Sequence, residues 1–208
     1  PGESFTTPEM IYTHSFRGAG GASRNLHDWA RNYGVWHGHI PAPTLLNSWE
    51  GAAFTFDAKT LTDMIDDAAA MGLEMFVHDK AGLGDWEVNR EKLPEGIDHI
   101  ASYAHDKGLK FGIWIEPEMV SPRSELAERH PEWIVRTPGR EAPLTRSQWL
   151  LDLSNPEVQD FVFGVFDNTM RLSEHIDYIK WDANRCANSI GSAFQRPDEQ
   201  SHFWIEYT

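Results

Sequence analysis

Four short apolar segments that alternate with helical segments constrain the fold of this chain more than any other feature. They cover residues 44–50, 73–79 and 109–116, with a fourth that starts at Ile176, and each is predicted to be a β-strand. The segments are apolar throughout, as strands buried on both faces of a sheet require. Strand, loop and helix repeated in this order are typical of parallel βα units, so we predict an α/β fold.

The predicted helices carry recognisable start and stop signals. Asp57 is a good N-cap for one helix, Pro94 is placed to begin the next, and Asn155 precedes a third. Ahead of the first strand, a further helix is predicted to begin at Ser23 and to end at Gly34. We therefore expect residues 1–42 to be a lead-in segment with one helix that packs on the βα region, and residues 43–208 to be the βα region itself.

Polar or aromatic side chains stand at the carboxyl end of every predicted strand. Functional residues at the carboxyl ends of the strands are typical of a (β/α)8 barrel of the TIM type. A doubly wound sheet is expected to show a glycine-rich phosphate-binding turn, and neither GxGxxG nor GxxxxGK[ST] follows any strand. We predict about four βα units, the N-terminal half of a barrel. The strand-end residues are Asn47, Trp49, Glu50, His78, Asp79, Trp114, Glu116, Lys180 and Asp182.

Charge and composition exclude several classes of partner. The formal net charge of −14 at pH 7 argues against nucleic acid and anionic membranes, and no apolar run approaches a membrane span. The chain has nine tryptophans, whose faces stack well on the C–H faces of sugars. The single cysteine, Cys186, permits no internal disulfide, so the cellular compartment is undetermined.

The fourth strand runs into a cluster of charged and polar residues. Because side chains alternate along a strand, Lys180 and Asp182 share one face while Trp181 points to the other. A carboxylate beside an ammonium group stays ionised near neutral pH, as a carboxylate nucleophile must. A structural ion pair at a strand end would have the same sequence, and this segment alone does not separate the two interpretations.

Two other groups of residues are candidates for catalysis or metal binding. His37 and His39 have the His-x-His spacing of the metal pair in amidohydrolase barrels, but they precede a strand, so we interpret them as loop histidines and predict no metal site. Glu116 and Glu118 follow the third strand and could form an acid/base pair. Pro117 between them lets the side chains diverge, and we interpret Glu116 as a packing and orienting residue.

Six motifs follow one another along the βα region. They are Asn47-Ser48-Trp49-Glu50, Leu83-Gly84-Asp85-Trp86, Trp114-Ile115-Glu116-Pro117-Glu118-Met119-Val120, His130-Pro131-Glu132-Trp133, Arg146-Ser147-Gln148 and Lys180-Trp181-Asp182-Ala183-Asn184-Arg185. In this order they strongly resemble the catalytic barrel of glycoside hydrolase family 36, the bacterial α-galactosidase family. The match runs from about Pro43 to the C-terminus.

The resemblance implies a retaining α-galactosidase that hydrolyses terminal α-galactosyl residues of oligosaccharides. It implies that Asp182 is the nucleophile and forms a covalent galactosyl-enzyme. It implies no cofactor and no metal, and a homo-oligomer, commonly a tetramer, for the parent protein. The substrate-binding residues that it implies are Asp79, Lys180, Asn184, Arg146, Trp114 and Trp49.

The sequence departs from the family pattern in two places. Asp79 matches the first of two adjacent aspartates, yet Lys80 follows it directly, and we favour a missing mobile loop between residues 79 and 82 over a lost half of the sugar clamp. The general acid/base aspartate belongs to a glycine-rich motif after a later strand, and nothing after Asp182 resembles it. A retaining mechanism needs two carboxylates, so we expect this chain alone to be nearly inactive.

Other functions stay open beside the retaining α-galactosidase. An α-N-acetylgalactosaminidase or a galactosyl-transferring enzyme could use the same scaffold. A galactose-binding pseudo-enzyme would fit if the clamp after Asp79 has eroded. A metal-dependent barrel hydrolase would have to be built on His37 and His39.

Overall fold

The computed structural model describes residues 4, 7–35, 37–79, 84–184 and 191–207. The chain divides into two compact units, Pro1–Pro43 and Thr44–Thr208. None of the helices in these described ranges has the length and apolar character needed to cross a membrane.

The Pro1–Pro43 unit is built around one helix. Helix α1 (Gly18–Trp29) continues directly into a π-helical turn, Ala30–Gly34. The predicted end at Gly34 is confirmed, but the predicted start at Ser23 is wrong, because the helix already begins at Gly18. Glycine has a low helix propensity, which hides this start in the sequence. Gly21 is needed for close approach, since a Cβ there would lie 2.1 Å from the Ser15 hydroxyl oxygen.

The Thr44–Thr208 unit alternates strands and helices along the chain. Its elements are β1 (Leu45–Asn47), α2 (Trp49–Ala52), α3 (Ala58–Ala70), β2 (Met75–His78), α4 (Ile97–Asp106), β3 (Lys110–Ile115), β4 (Met119–Val120), α5 (Glu125–Arg129), β5 (Trp149–Leu150), α6 (Pro156–Met170), β6 (Ile176–Trp181) and α7 (Phe203–Tyr207). Two 3₁₀ turns, Pro131–Trp133 and Gln200–His202, complete the described regular structure.

Four of these strands form one parallel sheet in the order β1-β2-β3-β6. The predicted parallel sheet is therefore confirmed. Each strand pairs with the next sheet strand along the chain, as in a (β/α)8 barrel, whereas a doubly wound sheet reverses its order at a switch point. Between β3 and β6 the chain makes a long excursion, in which β4 and β5 pair as a short antiparallel ribbon.

The helices pack on the sheet through the faces that their periodicity predicts. Buried side chains of α3 and α4 contact the central strands in one apolar cluster, which includes Leu61, Ile65, Ala68, Phe76, Ile97, Ile100, Ala101, Ala104, Phe111 and Ile113. Each Å² of apolar surface that is buried stabilises the fold by about 25 cal/mol, so this layer of fully buried side chains stabilises the unit.

Two of the three helix starts predicted in the Thr44–Thr208 unit agree with the structure. The Asp57 carboxylate accepts a hydrogen bond from the Thr60 N–H at 2.8 Å, and the Asn155 side chain accepts one from the Glu157 N–H at 3.0 Å. Both predicted N-caps are thus confirmed. The predicted start at Pro94 is wrong, because a turn intervenes and α4 begins at Ile97.

The first strand is shorter than predicted. Trp49 and Glu50 belong to α2 rather than to β1. The Asn47 side-chain oxygen accepts the backbone N–H of Trp49 at 2.8 Å and so turns the chain out of the sheet. This local side-chain bond competes with continuation of the strand.

Candidate active site

The predicted site residues line a single cavity of about 460 Å³ in the Thr44–Thr208 unit. They come from segments far apart in sequence that meet where the parallel strands end. Sequence reasoning assigned no substrate contact to three further lining residues, Phe54, Glu116 and Gln148. The predicted residues on the cavity wall are Trp49, Asp79, Trp114, Arg146, Lys180, Asp182 and Asn184.

Asp182 follows β6 directly and is held by four hydrogen bonds. Its backbone N–H donates to the Ile115 carbonyl at 2.9 Å, which keeps it against β3. One carboxylate oxygen, Oδ2, accepts the indole N–H of Trp114 at 2.8 Å and the side-chain amide of Asn184 at 2.6 Å. The other, Oδ1, accepts the Ala183 backbone N–H at 3.1 Å. These contacts fix the carboxylate in one orientation.

The same contacts keep Asp182 ionised. Partial burial pushes the pKa of Asp182 upward, but hydrogen bonds from Trp114, Asn184 and the Ala183 backbone, with the Lys180 charge, outweigh it and hold the pKa below its usual range. An oriented carboxylate that is ionised at neutral pH can act as a nucleophile.

Asp79 and Lys180 form an ion pair on another part of the cavity wall. The Lys180 ammonium lies 3.4 Å from Asp79 Oδ2. The Asp79 backbone is positioned by Ser48, whose buried hydroxyl oxygen accepts the Asp79 N–H at 3.0 Å. Burial raises the pKa of Asp79, and the Lys180 charge and a hydrogen bond from Asn47 oppose that rise. A pair of this kind offers an acceptor and a donor to vicinal hydroxyl groups of a ligand.

Aromatic rings form the apolar part of the wall. Trp49 packs edge-on against Phe54, with ring centroids 4.9 Å apart. Trp114 is buried and contacts Trp86, with centroids 6.1 Å apart. Trp86, the last residue of its sequence motif, thus supports the wall from behind. Phe54 was missed because it lies in the turn after α2, where no periodicity marks it.

Arg146 reaches the cavity from a strained two-residue turn. Thr145 and Gln148 exchange backbone hydrogen bonds of 3.1 and 3.0 Å across it. The φ angles of Arg146 and Ser147 are 54° and 59°, the left-handed region that non-glycine residues rarely adopt. Within the described residues, the Gln148 side-chain oxygen on the same turn is buried without a hydrogen-bond partner. Strain of this kind is a feature of functional sites.

The two carboxylates around Pro117 point to different surroundings. Glu116 is buried, lines the cavity and accepts the backbone N–H of Asn184 at 2.8 Å. Glu118 instead accepts a hydrogen bond from the Tyr207 hydroxyl at 3.2 Å. Burial raises the pKa of Glu118, the Tyr207 hydrogen bond opposes this, and the negative charges of Glu116 and Asp182 add to it. The predicted divergence at Pro117 is confirmed.

The two loop histidines, His37 and His39, lie in the Pro1–Pro43 unit. Both are exposed, and His39 Nε2 lies 3.0 Å from the Asn32 side-chain oxygen. Across the described ranges, no group of three or more His, Cys, Asp and Glu residues could hold a metal ion. The predicted missing loop between residues 79 and 82, together with Cys186, falls outside the described residues.

Comparisons with known proteins agree with this architecture. The sequence model of the melibiase family matches residues 4–208. The chain is 38% identical over 213 residues to alpha-galactosidase AgaA of Geobacillus stearothermophilus, covering 96% of this chain and 29% of that protein. It is 36% identical over 218 residues to alpha-galactosidase 1 of Pediococcus pentosaceus, covering 99% of this chain and 30% of that protein. The chain therefore spans less than a third of these relatives.

A solved structure extends the agreement to three dimensions. The crystal structure of a variant of the GH36 α-galactosidase AgaA from Geobacillus stearothermophilus, in complex with raffinose, superimposes with a TM-score of 0.84 at 35% identity. The match covers 90% of this chain and 28% of that one, and confirms a partial TIM-type α/β barrel. The chain belongs to the melibiase family and corresponds to an N-terminal portion of the catalytic barrel of the α-galactosidases of glycoside hydrolase family 36.

Proposed function

We propose that the protein containing this chain is a retaining α-galactosidase that hydrolyses terminal α-galactosyl residues of oligosaccharides. The relatives are named α-galactosidases, and variants of AgaA have been crystallised with raffinose and with stachyose. The observation that carries the proposal is the Asp182 carboxylate, ionised and oriented by Trp114 and Asn184 on the wall of a sugar-sized cavity.

In the proposed mechanism, a carboxylate oxygen of Asp182 attacks the anomeric carbon of the bound galactosyl group. The bond from this carbon to the leaving-group oxygen breaks, and that oxygen takes a proton from a general acid. The product of this step is a galactosyl ester of Asp182. A water molecule then gives a proton to the conjugate base of that acid and attacks the same carbon. The bond from this carbon to Asp182 breaks, which releases galactose with the original anomeric configuration and restores the carboxylate.

The remaining cavity residues bind the sugar in this proposal. The Asp79 carboxylate accepts hydrogen bonds from galactose hydroxyls, including the axial hydroxyl that distinguishes galactose from glucose. The Lys180 ammonium group donates to galactose hydroxyls. A sugar without the matching hydroxyl would leave hydrogen-bonding capacity of these partly buried charged groups unused, and discrimination of this kind is strong. Asn184 and Arg146 donate to hydroxyls, while Trp49 and Trp114 provide apolar faces for the sugar ring.

We assign the general acid to a carboxyl group outside this chain. Glu118 has a raised pKa, but its carboxylate contacts Tyr207 and is not among the residues that line the cavity. The chain spans 29% of AgaA and contains four parallel strands of the barrel sheet, so we place the second carboxylate in the remainder of the complete protein. We also propose that the complete protein is a homo-oligomer, which light scattering after size exclusion tests.

Turnover of p-nitrophenyl α-galactoside by the complete protein tests the proposed function. Asp182→Ala should abolish turnover, while Asp160→Ala, the same change at an exposed position of α6, should not. Added azide should restore turnover in Asp182→Ala and yield β-galactosyl azide, because azide fills the space of the missing carboxylate. NMR of early products of the unmodified protein should show α-galactose first.

An inverting mechanism and three of the alternative functions predict other results. If β-galactose forms first, the mechanism inverts and Asp182 is not a nucleophile. Galactose binding without turnover would indicate a pseudo-enzyme. Faster turnover of the corresponding α-N-acetylgalactosaminide would indicate an α-N-acetylgalactosaminidase. Loss of turnover in a strong chelator would indicate a metal-dependent enzyme.

A further inference from the structure

Glu116 is a buried carboxylate on the cavity wall to which the proposed mechanism gives no role. It is 1% exposed and is the first residue after β3. Pro117 follows it, and a residue before proline is confined to extended backbone conformations. The Glu116 carboxylate reaches the end of β6, where it accepts the backbone N–H of Asn184.

The backbone hydrogen bonds between β3 and β6 end at Glu116, and the next contact between the two segments is made by the Glu116 side chain. The last ladder bond runs from the Asp182 N–H to the Ile115 carbonyl, at 2.9 Å. In a continued parallel ladder, residue 117 would donate to the Asp182 carbonyl and accept from the Asn184 N–H. Pro117 has no N–H and cannot donate the first of these bonds, so the regular ladder ends here. The Glu116 carboxylate accepts the Asn184 N–H in its place, at 2.8 Å.

Asn184 is hydrogen-bonded both to Glu116, through its backbone N–H, and to Asp182, through its side-chain amide. The Asn184 side-chain amide donates to Asp182 Oδ2 at 2.6 Å, the shorter of the two side-chain bonds to that oxygen. Asn184 itself is largely exposed, so neighbouring packing does little to fix its backbone. Two hydrogen bonds in series thus connect the end of β3 to the carboxylate at the end of β6.

We infer that Glu116 is a positioning residue, which orients the Asp182 carboxylate through the backbone and side chain of Asn184. The inference rests on the proposed function of Asp182 as the nucleophile. Glu116 works as a hydrogen-bond acceptor, so the acceptor oxygen matters and the negative charge does not. It neither donates nor removes a proton during the reaction.

Two substitutions separate the acceptor from the charge. Glu116→Gln keeps the shape and an acceptor oxygen but removes the charge, whereas Glu116→Ala removes both. In the complete protein we expect Glu116→Gln to leave kcat/KM for an aryl α-galactoside nearly unchanged. We expect Glu116→Ala to lower it about 10²-fold, because small displacements of a reacting group have effects of that size.

A double-mutant cycle tests whether the effect passes through Asn184. If it does, Glu116→Ala in an Asn184→Ala background should cause no further loss of kcat/KM. Relative to Glu116→Gln, Glu116→Ala should also move the acidic limb of the pH profile to higher pH, since a loosened Asn184 donor lets the pKa of Asp182 rise. Equal losses in Glu116→Gln and Glu116→Ala, or multiplicative losses in the cycle, would overturn the inference.

Crystal structures of the complete variants give a readout that does not depend on activity. Without the acceptor, in Glu116→Ala, the distance from the Asn184 amide to Asp182 Oδ2 should exceed hydrogen-bond length, and in Glu116→Gln it should stay as it is. A bond that persists in Glu116→Ala would overturn the positioning role. If the unmodified protein does not turn over α-galactosides, the proposed function fails, and these distances still decide whether Glu116 positions Asp182.

Discussion

The indole N–H of Trp114 donates to the Asp182 carboxylate at 2.8 Å, across the neighbouring strands β3 and β6. Trp114 is the register partner of Lys180, two residues before Asp182. Because side chains alternate along a strand, Trp114, Lys180 and Asp182 therefore project from one face of the sheet. The parallel register of two buried strands thus places a neutral donor on the residue that we propose as the nucleophile.

Trp114→Phe should shift the acidic limb of the pH–rate profile. The substitution keeps an aromatic ring but removes the donor, one of the contacts that lower the pKa of Asp182. The pKa of Asp182 should rise, so the active ionised form is lost at a higher pH than in the unmodified protein. We also expect kcat/KM at neutral pH to fall about 10- to 100-fold, as for loss of one charge-assisted hydrogen bond.

Trp133→Phe is the matched control for this substitution. Trp133 is equally buried but stacks on His130 in a separate cluster. The pH profile of Trp133→Phe should coincide with that of the unmodified protein. An unshifted acidic limb in Trp114→Phe would contradict the account of the Asp182 pKa.

Lys180→Met should weaken substrate binding more than it slows chemistry. In the unmodified protein the Lys180 charge opposes the rise that burial causes in the pKa of Asp79. The substitution removes this charge, so the pKa of Asp79 should rise further. We expect KM to rise, most strongly toward acid pH where Asp79 becomes protonated. Steady-state kinetics between acid and neutral pH measure this effect.

Lys107→Met provides the comparison for Lys180→Met. Lys107 pairs with Asp66 at the far end of α4, and both lysine side chains are 38% exposed. Loss of the Lys107 pair should leave KM unchanged. Equal rises in KM for the two variants would show that the effect comes from general charge loss instead of the sugar site.

Ser147→Val should displace Arg146 from the cavity. Ser147 has a φ of 59°, which a β-branched residue adopts only with strain, while asparagine tolerates it. Ser147→Val should therefore raise KM, and Ser147→Asn should leave it unchanged. If both variants bind substrate as the unmodified protein does, the turn does not position Arg146.

Ile65→Ala should destabilise the protein without changing the site. Ile65 is fully buried in α3 against the central strands. Truncation of such a residue costs about 2–5 kcal/mol, because the cavity left behind does not close completely. Thermal unfolding should occur at a lower temperature, with KM unchanged at temperatures where the protein is folded. An unchanged unfolding temperature would contradict the assigned core.

Sequence patterns predicted the parts of this structure that depend on local signals. Asp57 and Asn155 cap helices as their side chains suggest, and the alternation along the fourth strand places Lys180 and Asp182 on one cavity. Parallel strand order follows from βα alternation, and the cavity follows from residues at strand ends. Each of these features can be predicted because it depends only on residues adjacent in sequence or on the regular spacing of side chains along a strand or helix.

Features that depend on tertiary contacts could not be read from sequence. The turn at Arg146 and Ser147 has no glycine or asparagine to reveal its left-handed backbone. Ser48 positions Asp79 through a hydroxyl contact between neighbouring strands. The link from Glu116 to Asn184 joins residues 68 positions apart, and only the stop of the strand ladder at Pro117 hints at it.

Trapping of the covalent intermediate tests the central claim most directly. The complete protein would be incubated with a slowly hydrolysed fluorinated α-galactoside that has a good leaving group, and then digested for peptide mass spectrometry. We predict a fluorinated galactosyl ester on the peptide that contains Asp182, with fragmentation placing it on that carboxylate. An ester on another carboxylate, or no ester while turnover proceeds, would contradict the account.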